Sequence, residues 1–185
     1  MKTKVKKIGR YVNRNRRDDK VMKDRFGNNF LSPEMSLNFN KDENDFYSAV
    51  IEFYGVDTSG PTYEGRVFLN NRGANGNTLL DESNGYVGSF HIFGHDGCWG
   101  DEGHCEPPIR GIYDSRLHVS STPAYKYIDI TKAIKKLINS GSHSNFTVTI
   151  VPKIARDQRM SDAKDVVRIH RIRINCYENA SRQSA

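Results

Sequence analysis

Along most of the chain, short runs of β-branched and aromatic residues alternate with clusters of Gly, Asn, Asp and Pro. Runs of this length and composition, bounded by turn residues, predict strands. The predicted strands are Met35–Phe39, Phe46–Val56, Tyr63–Leu69, Gly85–Phe93, Tyr125–Ile130, Phe146–Val151 and Val166–Tyr177. In the sixth, Phe146, Val148 and Ile150 share one face, the period-2 pattern of a half-buried strand. The seventh alternates less regularly. Val167, Ile169, Arg171, Arg173 and Asn175 fall on one face, and Val166, Arg168, His170, Ile172, Ile174 and Cys176 on the other.

Between residues 131 and 141 the period changes. Ala133, Ile134, Leu137 and Ile138 form one apolar stripe while Lys132, Lys135 and Lys136 point away, so this segment predicts a helix. Asp129 or Thr131 is placed to cap its start and Gly141 to end it in a left-handed turn. The fold class that follows is all-β: a β-sandwich or flattened barrel of about seven strands with one short helix. No repeat of solenoid or propeller length is present. Residues 71–77, rich in Asn and Gly, predict a loose, exposed hairpin or loop.

Charge divides the chain differently from hydrophobicity. The whole carries +6, but residues 1–25 hold 11 Lys/Arg against three Asp, so the remainder is close to neutral. Residues 1–33 are therefore expected to be a basic, flexible arm and linker, 34–178 the β-sandwich domain, and 179–185 a flexible tail. The arm suits phosphates or an anionic surface. The body has no zinc-finger spacing, helix-turn-helix pattern or RNP-type aromatic strand, so nucleic acid is the less favoured partner. No stretch is apolar enough to span a bilayer and the N-terminus lacks a secretory signal, which gives a cytoplasmic expectation; export alongside a partner remains compatible with it.

The candidate chemistry is concentrated between His91 and Cys105. Five ligand-type side chains, His91, His95, Cys98, His104 and Cys105, stand within this run, with Gly94, Gly97, Gly100 and Gly103 allowing the backbone to turn tightly. Thiolate with imidazole suits copper(I), and zinc less well here, because no Cys-x-x-Cys pair occurs. The alternative is a disulfide between Cys98 and Cys105, or free thiols, with His91 a packed strand residue. Either chemistry requires Cys98 and Cys105 to lie close in space. No nucleophile elbow, phosphate loop or His-Glu-x-x-His motif is present, and no catalytic residues are assigned.

The run Tyr86–His95 (YVGSFHIFGH) resembles the "GSF" strand in the C-terminal β-domain of tyrosinase and polyphenol oxidase proteins, the type 3 copper family. Three further segments resemble parts of that domain in the same order: Arg66–Asn71 an earlier strand, Val148–Pro152 a later one, and Val166–Ile174 the closing strand. The GCWGDEGHCEPP segment is similar to bacterial members of the group. The resemblance covers roughly residues 45–177.

It implies a β-domain packed over the dicopper pocket of a copper oxidase, here without the catalytic domain, since the helical histidine pairs of that site are absent. Some fungal relatives pass copper through a Cys-x-x-Cys motif, which the spacing of Cys98 and Cys105 does not reproduce. Phe93, Trp99 and Tyr113 are the candidates for partner contact, from their place beside the Cys/His segment. Because the chain opens on Met1, it is expected to be a freestanding accessory subunit or a C-terminal piece.

Three functions follow. The first is a non-catalytic accessory or lid domain of a tyrosinase-like copper oxidase, covering its dicopper site and assisting copper loading. The second is a stand-alone metal-binding protein or enzyme using the His91–Cys105 segment. The third is a binding module whose basic arm meets nucleic acid or an anionic surface.

Overall fold

The computed structural model describes residues 3–12, 29–35, 46–58, 60–94, 123–140, 146–154 and 166–179. The elements are β1 (Thr3–Val12), β2 (Phe30–Leu31), β3 (Ser48–Val56), β4 (Tyr63–Leu69), β5 (Tyr86–Ile92), β6 (Ala124–Asp129), α1 (Thr131–Asn139), β7 (Val148–Ile154) and β8 (Ile169–Asn179), with a 3-10 turn at Glu82–Asn84. They form two four-stranded sheets, ordered β1-β8-β3-β6 and β2-β7-β4-β5. Every ladder is antiparallel. The two sheets remain separate, so the fold is a sandwich rather than a closed barrel.

The core is filled by the inward parity of each strand. Ala49, Ile51 and Phe53 of β3 stand opposite Cys176, Ile174 and Ile172 of β8, and all six are buried. Val67 of β4 lies across from Ile150 of β7. Both join the same buried cluster, together with Phe30, Phe90, Ile92 and Val148. Phe53 and Phe90 bring the sheets together with ring centroids 5.1 Å apart.

The helix packs as its stripe predicts, with Ile134 and Ile138 buried and Ala133 and Leu137 partly so. Its first turn is tied down locally: Thr131 donates its N–H to Asp129 Oδ1 at 2.8 Å, and its hydroxyl accepts the Ala49 N–H of β3 at 2.9 Å. Ser140 closes the other end; Gly141 lies outside the described residues.

Three segments differ from expectation. Thr3–Val12, predicted to lie in a flexible arm, pairs along β8 with a register shift between Lys7 and Gly9. Backbone hydrogen bonding to a complete neighbouring strand supplies what its sparse apolar residues do not. Phe30 and Leu31, placed in the predicted linker, are buried as a short strand on β7. The predicted loose loop is also anchored: Ala74 packs with Phe68, Val151 and Tyr86 in a second small cluster. Asn29 Nδ2 donates to the Ala74 carbonyl at 3.1 Å, and Thr149 Oγ1 to that of Asn71 at 2.8 Å. Met35, the start of a predicted strand, makes a single bridge to Phe146.

Candidate functional site

β5 carries the described part of the predicted Cys/His site. Phe90 and Ile92 face the core, so His91 between them is exposed. Its cross-strand neighbour on β4 is Glu64. Partial burial works against the Glu64 charge, but hydrogen bonds from Ser89 and Arg66 and the nearby charges of Arg66 and His91 outweigh it, holding the carboxyl below its ordinary range. Arg66 Nε lies 3.2 Å from Glu64 Oε2. His91 is therefore part of a polar strand face.

Beyond β5, Phe93 is 79% exposed. Gly94 donates its N–H to Thr62 Oγ1 at 3.0 Å. A Cβ at Gly94 would fall 2.0 Å from the Gly60 carbonyl oxygen, so only glycine fits where the chain leaves the sheet. His95, Cys98, Trp99, His104, Cys105 and Tyr113 lie outside the described residues, as does the expected proximity of Cys98 to Cys105. Among the described residues no three His, Cys, Asp or Glu side chains gather as a metal site. The described part of the chain thus offers copper no donor set.

The most developed polar constellation lies on the outer face of the other sheet. Glu52 interrupts the apolar run of β3 at the parity pointing away from the core, yet it is buried. Its carboxylate accepts hydrogen bonds from Tyr54 Oη at 2.7 Å, Tyr125 Oη at 2.9 Å and Asn175 Nδ2 at 2.7 Å. One side chain thereby joins three strands, which offsets the cost of desolvating its charge. Beside it, Arg171 and Arg173 of β8 lie 4.3 and 5.1 Å from the centroid of the Tyr54 ring. Their Nε atoms are buried without a hydrogen-bond partner.

Tyrosines surround this centre. The Tyr54 and Tyr125 rings are 5.0 Å apart, those of Tyr125 and Tyr127 6.1 Å, and those of Tyr47 and Tyr177 6.4 Å. Burial first raises the hydroxyl pKa values of Tyr54, Tyr125 and Tyr177 above the ordinary tyrosine value; Glu52 adds to it, through its hydrogen bonds and then its charge at Tyr54 and Tyr125 and through its charge at Tyr177. Tyr127, 66% exposed, presents its ring to solvent. These residues were not singled out from sequence, although Tyr125 and Tyr127 alternate on β6, as do Arg171 and Arg173 on β8. Two polar or aromatic side chains at strand period signal a face; that the two faces join across β3 is a property of strand order alone.

A groove of about 1000 Å³ runs between α1 and the 3-10 turn, with Lys132 and Lys136 on the helix side, Asp81 and Glu82 on the turn side, and Tyr86 and Leu137 among its apolar lining.

No family model and no curated protein matches the chain. Among solved structures it is similar to a latent aurone synthase (polyphenol oxidase) from natural source, at 18% sequence identity and a TM-score of 0.44. The match covers 85% of this chain and 26% of that one, so the chain spans about a quarter of the length of that structure.

Proposed function

We propose that the chain is a non-catalytic accessory or lid domain for a tyrosinase-like copper oxidase. The observation supporting it is where the resembling segments fall. Arg66–Asn71 lies on and just beyond β4, Tyr86–His95 on and beyond β5, and Val148–Pro152 within β7; these are three neighbouring strands of one sheet. That sheet delivers the exposed Phe93 and the clamped Gly94 at the point where the Cys/His segment begins.

In this reading the dicopper centre belongs to the partner. The role of this chain is steric: a rigid sheet edge holds an aromatic side chain and the segment after it against the mouth of the partner's pocket, excluding phenolic substrate. The ligand-type residues from His95 to Cys105 are the candidates for assisting copper loading.

The test is co-expression with a tyrosinase-like catalytic chain, followed by pull-down, copper analysis and diphenol oxidation. The expected result is a stable complex of low activity, with Phe93→Ala raising activity while the complex persists. Absence of a complex, or equal activity with and without this chain, would overturn the proposal.

A further inference from the structure

The outer face of the β1-β8-β3-β6 sheet has no part in the lid reading, and its chemistry is of another kind. We propose that it binds single-stranded nucleic acid without sequence preference, with phosphates along the β1–β8 half and bases on the tyrosines of the β3–β6 half.

Two independent observations carry this. One is charge. β8 carries Arg171 and Arg173 at the outward parity of this sheet, and the register sets Lys7 of β1 opposite Asn175 at that same parity, whereas Lys4 and Lys6 fall opposite Glu178 and Cys176 at the core parity. The register sets the Cα of Arg10 opposite that of Arg173. The outward positions of this ladder are therefore basic on both strands, a pattern suited to an anion lying along them. The carboxylate that shares Tyr54 with the arginines, Glu52, is buried and engaged by two tyrosines and Asn175, so it is withdrawn from the surface.

The other is the aromatic platform. Tyr125 and Tyr127 project from the same face of β6, 49% and 66% exposed. Tyr125 is fixed by its hydrogen bond to Glu52, so a base stacking on it meets an already ordered ring. A basic track beside exposed aromatic rings is the combination by which proteins hold single strands, because every base has a stackable face and every linkage a charge. A double helix hides the base faces and would use only the basic half.

The probe is a fluorescein-labelled oligothymidylate of about 16 nucleotides, titrated with the full chain by fluorescence anisotropy. Binding is expected to weaken at least about tenfold as salt rises from about 50 to 200 mM. Tyr127→Ala should weaken it by about tenfold, while Tyr127→Phe, which keeps the ring, should bind as the native chain does. Tyr127 is largely exposed, and unchanged thermal melting of both variants verifies that folding is not the cause.

Several results would overturn the proposal. One is no binding at the lower salt. A second is affinity insensitive to Tyr127→Ala, which would leave only a polybasic attraction. A third is equal competition by a polyglutamate peptide of the same length, which would make this a surface for acidic protein.

Discussion

Phe90 stands directly across the β4–β5 ladder from Gly65, its ring 2.7 Å from the point where a Cβ on Gly65 would lie. The ring covers the bare glycine backbone and reaches Phe53 on the opposite sheet and Tyr63 on its own. Gly65→Ala should therefore push the ring out of place and cost about 1–3 kcal/mol, read as a lower urea midpoint. Adding Phe90→Leu should recover part of the loss, since the smaller side chain vacates the contested space. Additive losses would refute the coupling.

Glu52 offers a second test. Glu52→Ala removes the acceptor of three hydrogen bonds and leaves the buried Asn175 amide without it. The expected loss is about 2–4 kcal/mol, with Glu52→Gln closer to the native chain because it retains one acceptor oxygen. Denaturant unfolding measures both, and a loss within experimental error for Glu52→Ala would show that the network is ornamental to stability.

The raised tyrosine hydroxyls predict an alkaline limit. A folded-state pKa above its unfolded value contributes stability that is complete below the unfolded pKa, near 10, and is lost as pH climbs through the folded one. Absorbance titration should show Tyr54, Tyr125 and Tyr177 ionising above the ordinary tyrosine value, and Glu52→Gln should shift Tyr54 and Tyr125 toward earlier ionisation. A single transition at the ordinary value would contradict the packing around Glu52.

Glu64 acts at the other end of the scale. Its folded-state pKa lies below the ordinary carboxylate value of 4.5, so its contribution is present above that pH and fades as acid protonates it. The stability difference between the native chain and Glu64→Gln should shrink as pH falls below about 4.5. A difference that stays constant from neutral pH to strong acid would separate Glu64 from its partners Arg66 and Ser89.

Much of the sandwich was legible because its strands carry their own punctuation: Tyr63–Leu69 occupies its predicted bounds, and Tyr86–Ile92 lies within its prediction. The helix was legible because Ile134, Leu137 and Ile138 repeat at the right spacing. β1 was not, since a strand with four basic residues reads as a solvated arm until β8 is there to receive it. Phe30 and Leu31 were hidden for a related reason: two residues have no period. The Glu52 centre was the least visible, because Tyr54, Tyr125 and Asn175 come from strands whose adjacency depends on β8 and β6 flanking β3.

That placement of β8 also dictates a timetable. During synthesis the β2-β7-β4-β5 sheet and the β3–β6 pair have all their strands once Ile154 has been made, but β8 is the last of the described strands to appear and both β1 and β3 wait for it. Until then the nascent chain holds one finished layer against half of another, with Ala49, Ile51 and Phe53 lacking the Cys176, Ile174 and Ile172 that will lie beside them. Exposed strand edges of this kind invite pairing with the wrong chain. How quickly β8 slides between its two neighbours therefore sets how long those edges stay open to a wrong partner.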